Sequence, residues 1–169
     1  AVTNMFYYQT DHFIIYFNSR YFNLGTIPSL AGGLGDAYFL LNQWGFIYTK
    51  RTTWPMYVEV KPILSKKENE IIYGQSLRSF PYSANCGYIE INEQIISKPD
   101  SLRITAAHEF FHVVQDLYNY DDKYNWLQEA SSVWFEEFFA SDPSSYVSNV
   151  FKNNVYQPLK GLQAGRSDG

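Results

Sequence analysis

The stretch "TAAHEFFHVV", residues 105–114, lies within a run from 101 to 119 that contains neither proline nor glycine. Phe110, Val113, Val114 and Leu117 recur at i, i+3, i+4 and i+7, so the run reads as a helix with one face laid on a core. Pro99 precedes it, and Asp100 or Ser101 can cap it. On such a helix His108 and His112 stand one turn apart on the same face. Glu109 is offset from them by about 100°. Two of the chain's three histidines thus fall in one motif, beside one of its nine glutamates. A shuffled chain of this composition would contain His-Glu-x-x-His roughly once in five hundred trials.

Two imidazoles so placed can hold one metal ion, and zinc is the ion this spacing suits. Zinc brings the pKa of a bound water towards neutrality, and Glu109 can take its proton as the water attacks a polarised carbonyl. Thr105, the uncharged residues at 106, 107, 110, 111 and 113, and Val114 extend the motif in the same sense. A catalytic zinc takes three protein ligands and keeps one position open. A Gly-x-x-His continuation is excluded as the source of the third, because Gln115 stands where the glycine would be and no histidine follows. His12, Asp121 and Asp122 stay open as alternatives, as does Glu136. The residues favour Glu129 in "WLQEASSVWFEE" (126–137). The loop "YDDKYN" turns a second helix, 126–140, back on the first and brings Glu129 near His112. Trp126, Leu127, Ala130 and Val133 flank that carboxylate, which in such company needs a partner. Asn125 and Gln128 have capping-box spacing, and Asp142-Pro143 closes the helix.

Upstream, "HFIIYF" (12–17) reads as a strand, and "SLAGGLGDAYFLLNQWGF" (29–46) as a helix capped by Ser29 and stopped at Gly45. Its Gly32, Gly33 and Gly35 lack the spacing and the Lys-Ser/Thr of a phosphate loop, so close helix packing is the better account. "WPMYVEVKPIL" (54–64) alternates Met56, Val58 and Val60 against Tyr57, Glu59 and Lys61, as a half-buried strand does. The polar stretch 66–86 reads as loop with one short strand, and "GYIEINEQI" (87–95) as the clearest strand. The expected class is α+β, with residues 1–142 as one unit and 143–169 as a short C-terminal extension or truncated subdomain.

Composition bounds the rest. Lys+Arg 13 against Asp+Glu 17 gives a net charge of −4, and no basic stripe or cluster stands out beyond short pairs such as Lys66-Lys67, which argues against a nucleic-acid partner. The single cysteine, Cys86, excludes an internal disulfide framework and a cysteine zinc knuckle. No apolar run approaches the ~20 residues that span a bilayer. The aromatic share of 19% supplies large core side chains or, on a surface, groups that stack sugars or peptides.

His-Glu-x-x-His followed by a helix carrying Glu resembles the gluzincins, the thermolysin-like clan of zinc metallopeptidases. The pairing "AHEFFHVVQ … WLQEASSVWFEE" is similar to a group of bacterial and archaeal metallopeptidases, many of them secreted and most uncharacterised. The resemblance covers about residues 11–140. It implies a zincin-like fold: a small mixed or antiparallel sheet, a backing helix, the motif helix and the Glu-bearing helix. It implies one zinc ion on His108, His112 and Glu129, Glu109 as general base and acid, and a peptide or protein substrate outside the cell or at its surface. It further implies that Gly87, Tyr88, Ile89 and Glu90 form the sheet's edge strand, against which an extended peptide pairs. Two departures stand out. Val133 occupies the place of the aspartate that orients a histidine in thermolysin-like enzymes, and the Asn-Ala-aromatic edge signature is absent. Asp116 and Glu136 are the candidate replacement carboxylates, and Tyr118, Tyr120, Tyr124, Tyr146 and Tyr156 the candidate oxyanion donors. The alternative is a weakly active or inactive module on the same scaffold that binds a protein or a glycan.

Overall fold

The structure is a computed structural model, and it describes residues 5–68, 70–78, 87–118 and 122–141. It is mixed α and β: strands β1 (Met5–Gln9) and β2 (Phe13–Asn18), helix α1 (Thr26–Gln43), strands β3 (Met56–Lys61), β4 (Gly74–Leu77) and β5 (Tyr88–Asn92), then helices α2 (Pro99–Tyr118) and α3 (Asn125–Glu136). The strands form one sheet in the order β1-β2-β3-β5-β4. β2, β3 and β5 run parallel, while β1 and β4 are antiparallel to their neighbours at the two margins.

Alternation in the sequence decides which face is covered. Phe13, Ile15 and Phe17 of β2 and Met56, Val58 and Val60 of β3 are buried, whereas the residues between them are half-buried. Leu30, Leu34 and Leu41 of α1 and Leu102, Ala106, Phe110 and Val114 of α2 join them in one core. Phe110 meets Phe13 edge-on at 5.5 Å, fastening the motif helix to the sheet. α3 packs on α2 through Phe135 and Phe111, whose ring centroids are 4.9 Å apart.

Helix boundaries differ from the sequence reading for local reasons. α1 begins at Thr26 rather than after Ser29, because Pro28 sits in the first turn, where its missing N–H is not needed. Its end is as expected: Gly45 takes φ 89°. Its N–H donates to the Asn42 carbonyl at 3.0 Å, and that of Phe46 to Leu41 at 3.0 Å, a paired arrangement that closes helices on a glycine. Of the three glycines before it, Gly33 packs closely, since an added Cβ would lie 3.2 Å from Arg103, while Gly32 and Gly35 face open space. α2 begins at Pro99, so Asp100 and Ser101 lie inside its first turn rather than capping it. Asn125 is the first residue of α3, not its cap, and Asp142-Pro143 lies outside the described residues.

The largest correction concerns the sheet margin. "GYIEIN" was expected at the edge, but β5 is interior, paired with β3 on one side and β4 on the other. All its residues but the half-buried Tyr88 are buried, Glu90 and Asn92 included. Glu90 is met by Gln75 Nε2 at 2.5 Å and Lys61 Nζ at 3.3 Å. Asn92 Nδ2 donates to the carbonyls of Ile63 (3.0 Å) and Ile72 (2.7 Å), and so ties down the segment that delivers β4. β4 is therefore the margin on the site's side, held close over α2.

Candidate metal centre

Helix geometry alone brings the two histidines together. The Nε2 atoms of His108 and His112 lie 3.0 Å apart, and their rings are tilted by 74°. The α2–α3 connection then does what the loop composition implied. Glu129, on the second turn of α3, places Oε1 3.2 Å from His112 Nε2 and Oε2 3.5 Å from His108 Nε2. One donor atom from each of the three residues lies within 4.8 Å of the others, so the group can hold a metal ion.

The other ring nitrogens decide what those Nε2 atoms are. His108 Nδ1 lies 2.5 Å from Glu136 Oε1. His112 Nδ1 lies 2.9 Å from Gln115 Oε1. The Gln115 amide is oriented by its own partners, because its Nε2 donates to the Gln128 carbonyl (3.2 Å) and to Ser131 Oγ (2.9 Å). Both Nδ1 atoms thus lie against acceptors, and a ring proton held there would leave each Nε2 lone pair free for a cation. Two lone pairs and a carboxylate converging on one point call for a cation. Two nitrogens, one oxygen and outer hydrogen bonds on the far ring atoms make the donor set that zinc takes.

The same carboxylates also attract a proton, which a metal ion would have to displace from His108. Burial disfavours a charged His108, yet hydrogen bonds to Glu129 and Glu136 outweigh it and raise the imidazole to about 10. The hydrogen bonds of His108 and His112 hold Glu129 well below the usual carboxylate range, against its own partial burial. Glu109 behaves oppositely. It is 7% exposed, and burial raises its carboxyl while the two histidines pull it back.

Above the three side chains runs a groove of about 580 Å³, bounded by Gly74, Gln75, Ser76 and Arg78 on one side and Asn125, Gln128 and Glu129 on the other, with Glu109 on its floor. β4 reaches this position only because residue 74 is glycine. A Cβ there would sit 2.6 Å from Thr105 Cγ2 and 3.0 Å from Glu109 Cγ.

Of the residues singled out in the sequence, His108, Glu109, His112, Glu129 and Glu136 come together, and Glu136 is the carboxylate on a histidine. Asp116 lines the groove but turns to Arg78 at 3.5 Å instead of to a histidine. Tyr118 accepts the Ile47 N–H at 2.6 Å and shares a separate apolar pocket with Phe46 and Tyr124, so neither tyrosine reaches the groove. His12 stacks on Tyr38 at 3.9 Å and has no part in the cluster. Tyr120, Asp121, Tyr146, Tyr156 and the extension 143–169 lie outside the described residues. Tyr88, Ile89 and Glu90 lie one strand in from the margin, and Gly87 just before them. Sequence reasoning missed Gln115, although its place three residues after His112 puts it on the same helix face. The short strand read within 66–86 is β4, whose four residues carry no alternation strong enough to fix its bounds or its place at the margin. Among the described residues no helix is long and apolar enough to cross a membrane. No family model, curated protein or solved structure matches this chain.

Proposed function

We propose that the chain is a zinc-dependent peptide hydrolase of the gluzincin type, on a zincin-like arrangement of sheet, motif helix and Glu-bearing helix. The observation that carries this reading is the convergence of the His108, His112 and Glu129 donor atoms with a buried Glu109 beside them. His108, His112 and Glu129 hold the metal, while Glu136 and Gln115 fix the tautomers and ring orientations of the two histidines. A bound zinc ion supplies the positive charge that acidifies a water and polarises a peptide carbonyl. Glu109 takes the proton from the attacking water and delivers it to the leaving amine, a task suited to a carboxyl that burial has made more basic. The peptide lies along β4, as an added strand at the sheet margin that borders the groove.

The test is peptide cleavage by the zinc-loaded chain and by Glu109→Gln. The variant should keep its metal and lose about 10²–10⁴-fold in hydrolysis, the worth of a positioned general base. Equal cleavage by both would reject the assignment. A second reading, a zinc-holding module that binds without turnover, draws on one observation. The described residues lining the groove include no tyrosine to receive a developing oxyanion. It predicts full metal occupancy with no cleavage across a broad peptide library.

A further inference from the structure

β1 forms the sheet margin opposite the groove, and among the described residues it pairs with β2 alone. The Thr10 N–H donates to the Phe13 carbonyl at 2.8 Å, which sets the alternation of the β1–β2 ladder. Counting back from that pair, Tyr8 and Phe6 turn their backbone groups towards β2. Met5, Tyr7 and Gln9 turn theirs outward, so among the described residues the margin presents a row of N–H and C=O groups with no strand beside them.

The usual protections of such an edge are missing. "MFYYQ" contains no charged residue and no proline, and all five side chains are exposed. Phe22, 66% exposed, extends the apolar surface by packing on Phe6 with centroids 5.3 Å apart. On the open face of the sheet Tyr7 starts a tyrosine row: 6.0 Å to Tyr16, a stack of 5.0 Å on to Tyr57, then 5.9 Å to Tyr88.

We propose that this margin pairs with β1 of a second copy of the chain, antiparallel about a two-fold axis through Tyr7. In that register Tyr7 faces Tyr7 and Met5 faces Gln9, so each outward N–H meets an outward C=O. The charge pattern selects the occupant. Two copies of the chain, each carrying −4, bear like net charge, whereas this uncharged strand brings no like charges together and in the antiparallel register is its own complement. Pairing here joins two five-stranded sheets, continues the tyrosine rows across the axis, and leaves the groove beyond β4 free.

Sedimentation velocity on the whole zinc-loaded chain, from low to high micromolar, tests this with two variants. Tyr7→Lys places a charge on each side of the axis, and Tyr7→Pro removes an outward N–H without touching a β1–β2 hydrogen bond. The parent should form a concentration-dependent dimer. Both variants should weaken it by at least about tenfold, with circular dichroism and zinc content unchanged. A parent that stays monomeric throughout, or a dimer that survives both variants at full strength, overturns the proposal.

Discussion

At the scale of residues, the two histidines are distinguished by what stands behind them. His108 leans on a carboxylate, Glu136, and His112 on a neutral amide, Gln115. Removing either partner frees a ring to turn and weakens its basicity, so Glu136→Ala and Gln115→Ala should each lower zinc affinity by about 10–100-fold, read by competition with a chelator. Glu136→Gln should recover part of the loss by keeping an acceptor on Nδ1. An unchanged affinity in all three would show that the ring orientations are set by packing instead. This level was the most legible in the sequence, because helix geometry fixes residues four apart whatever surrounds them. Glu129 could be named because the loop turns α3 back so that its opening turns meet His112. The apolar company read around it is no part of the reason, since Trp126, Leu127, Ala130 and Glu129 itself are exposed. The choice between Asp116 and Glu136 was not legible. It depends on the angle at which α3 crosses α2, which no local pattern encodes.

At the scale of elements, the site is made by the approach of β4 to α2. That approach rests on Gly74 and on Asn92, which is fully buried and clamps the incoming segment through two carbonyls. Gly74→Ala must push Thr105 or Glu109 aside or lift the strand. It should lower peptide cleavage by at least about tenfold, as a misplacement of the order of an ångström can, while zinc stays bound. Full activity in that variant would mean that β4 is not the substrate's strand. The edge was misassigned because the two strands differ so much in pattern. "YIEIN" alternates visibly, whereas "GQSL" is short, polar and half-buried at every position. β1 escaped notice for the related reason that neither of its faces is buried, so burial imposes no alternation on it.

At the scale of the whole molecule, one core supports the sheet and the metal helix together. Phe110 is fully buried between the two histidines in sequence, yet it points to the opposite side, against Phe13, Tyr38 and Tyr48. Phe110→Ala should therefore cost about 3–5 kcal/mol of stability, a large share of what a small domain has. Saturating zinc should restore part of it in thermal unfolding, because the ion binds the folded state. The layer order of the fold was legible from hydrophobic period alone. The sheet order was not, since pairing across distant strands is settled by topology rather than by any one segment. The most direct test of the central claim is the zinc content of the purified chain after exposure to excess zinc and desalting, compared with Glu129→Ala. One zinc per parent chain and a clear loss in the variant are expected; a parent that retains no zinc, or a variant that retains as much, would rule out a metal held by His108, His112 and Glu129.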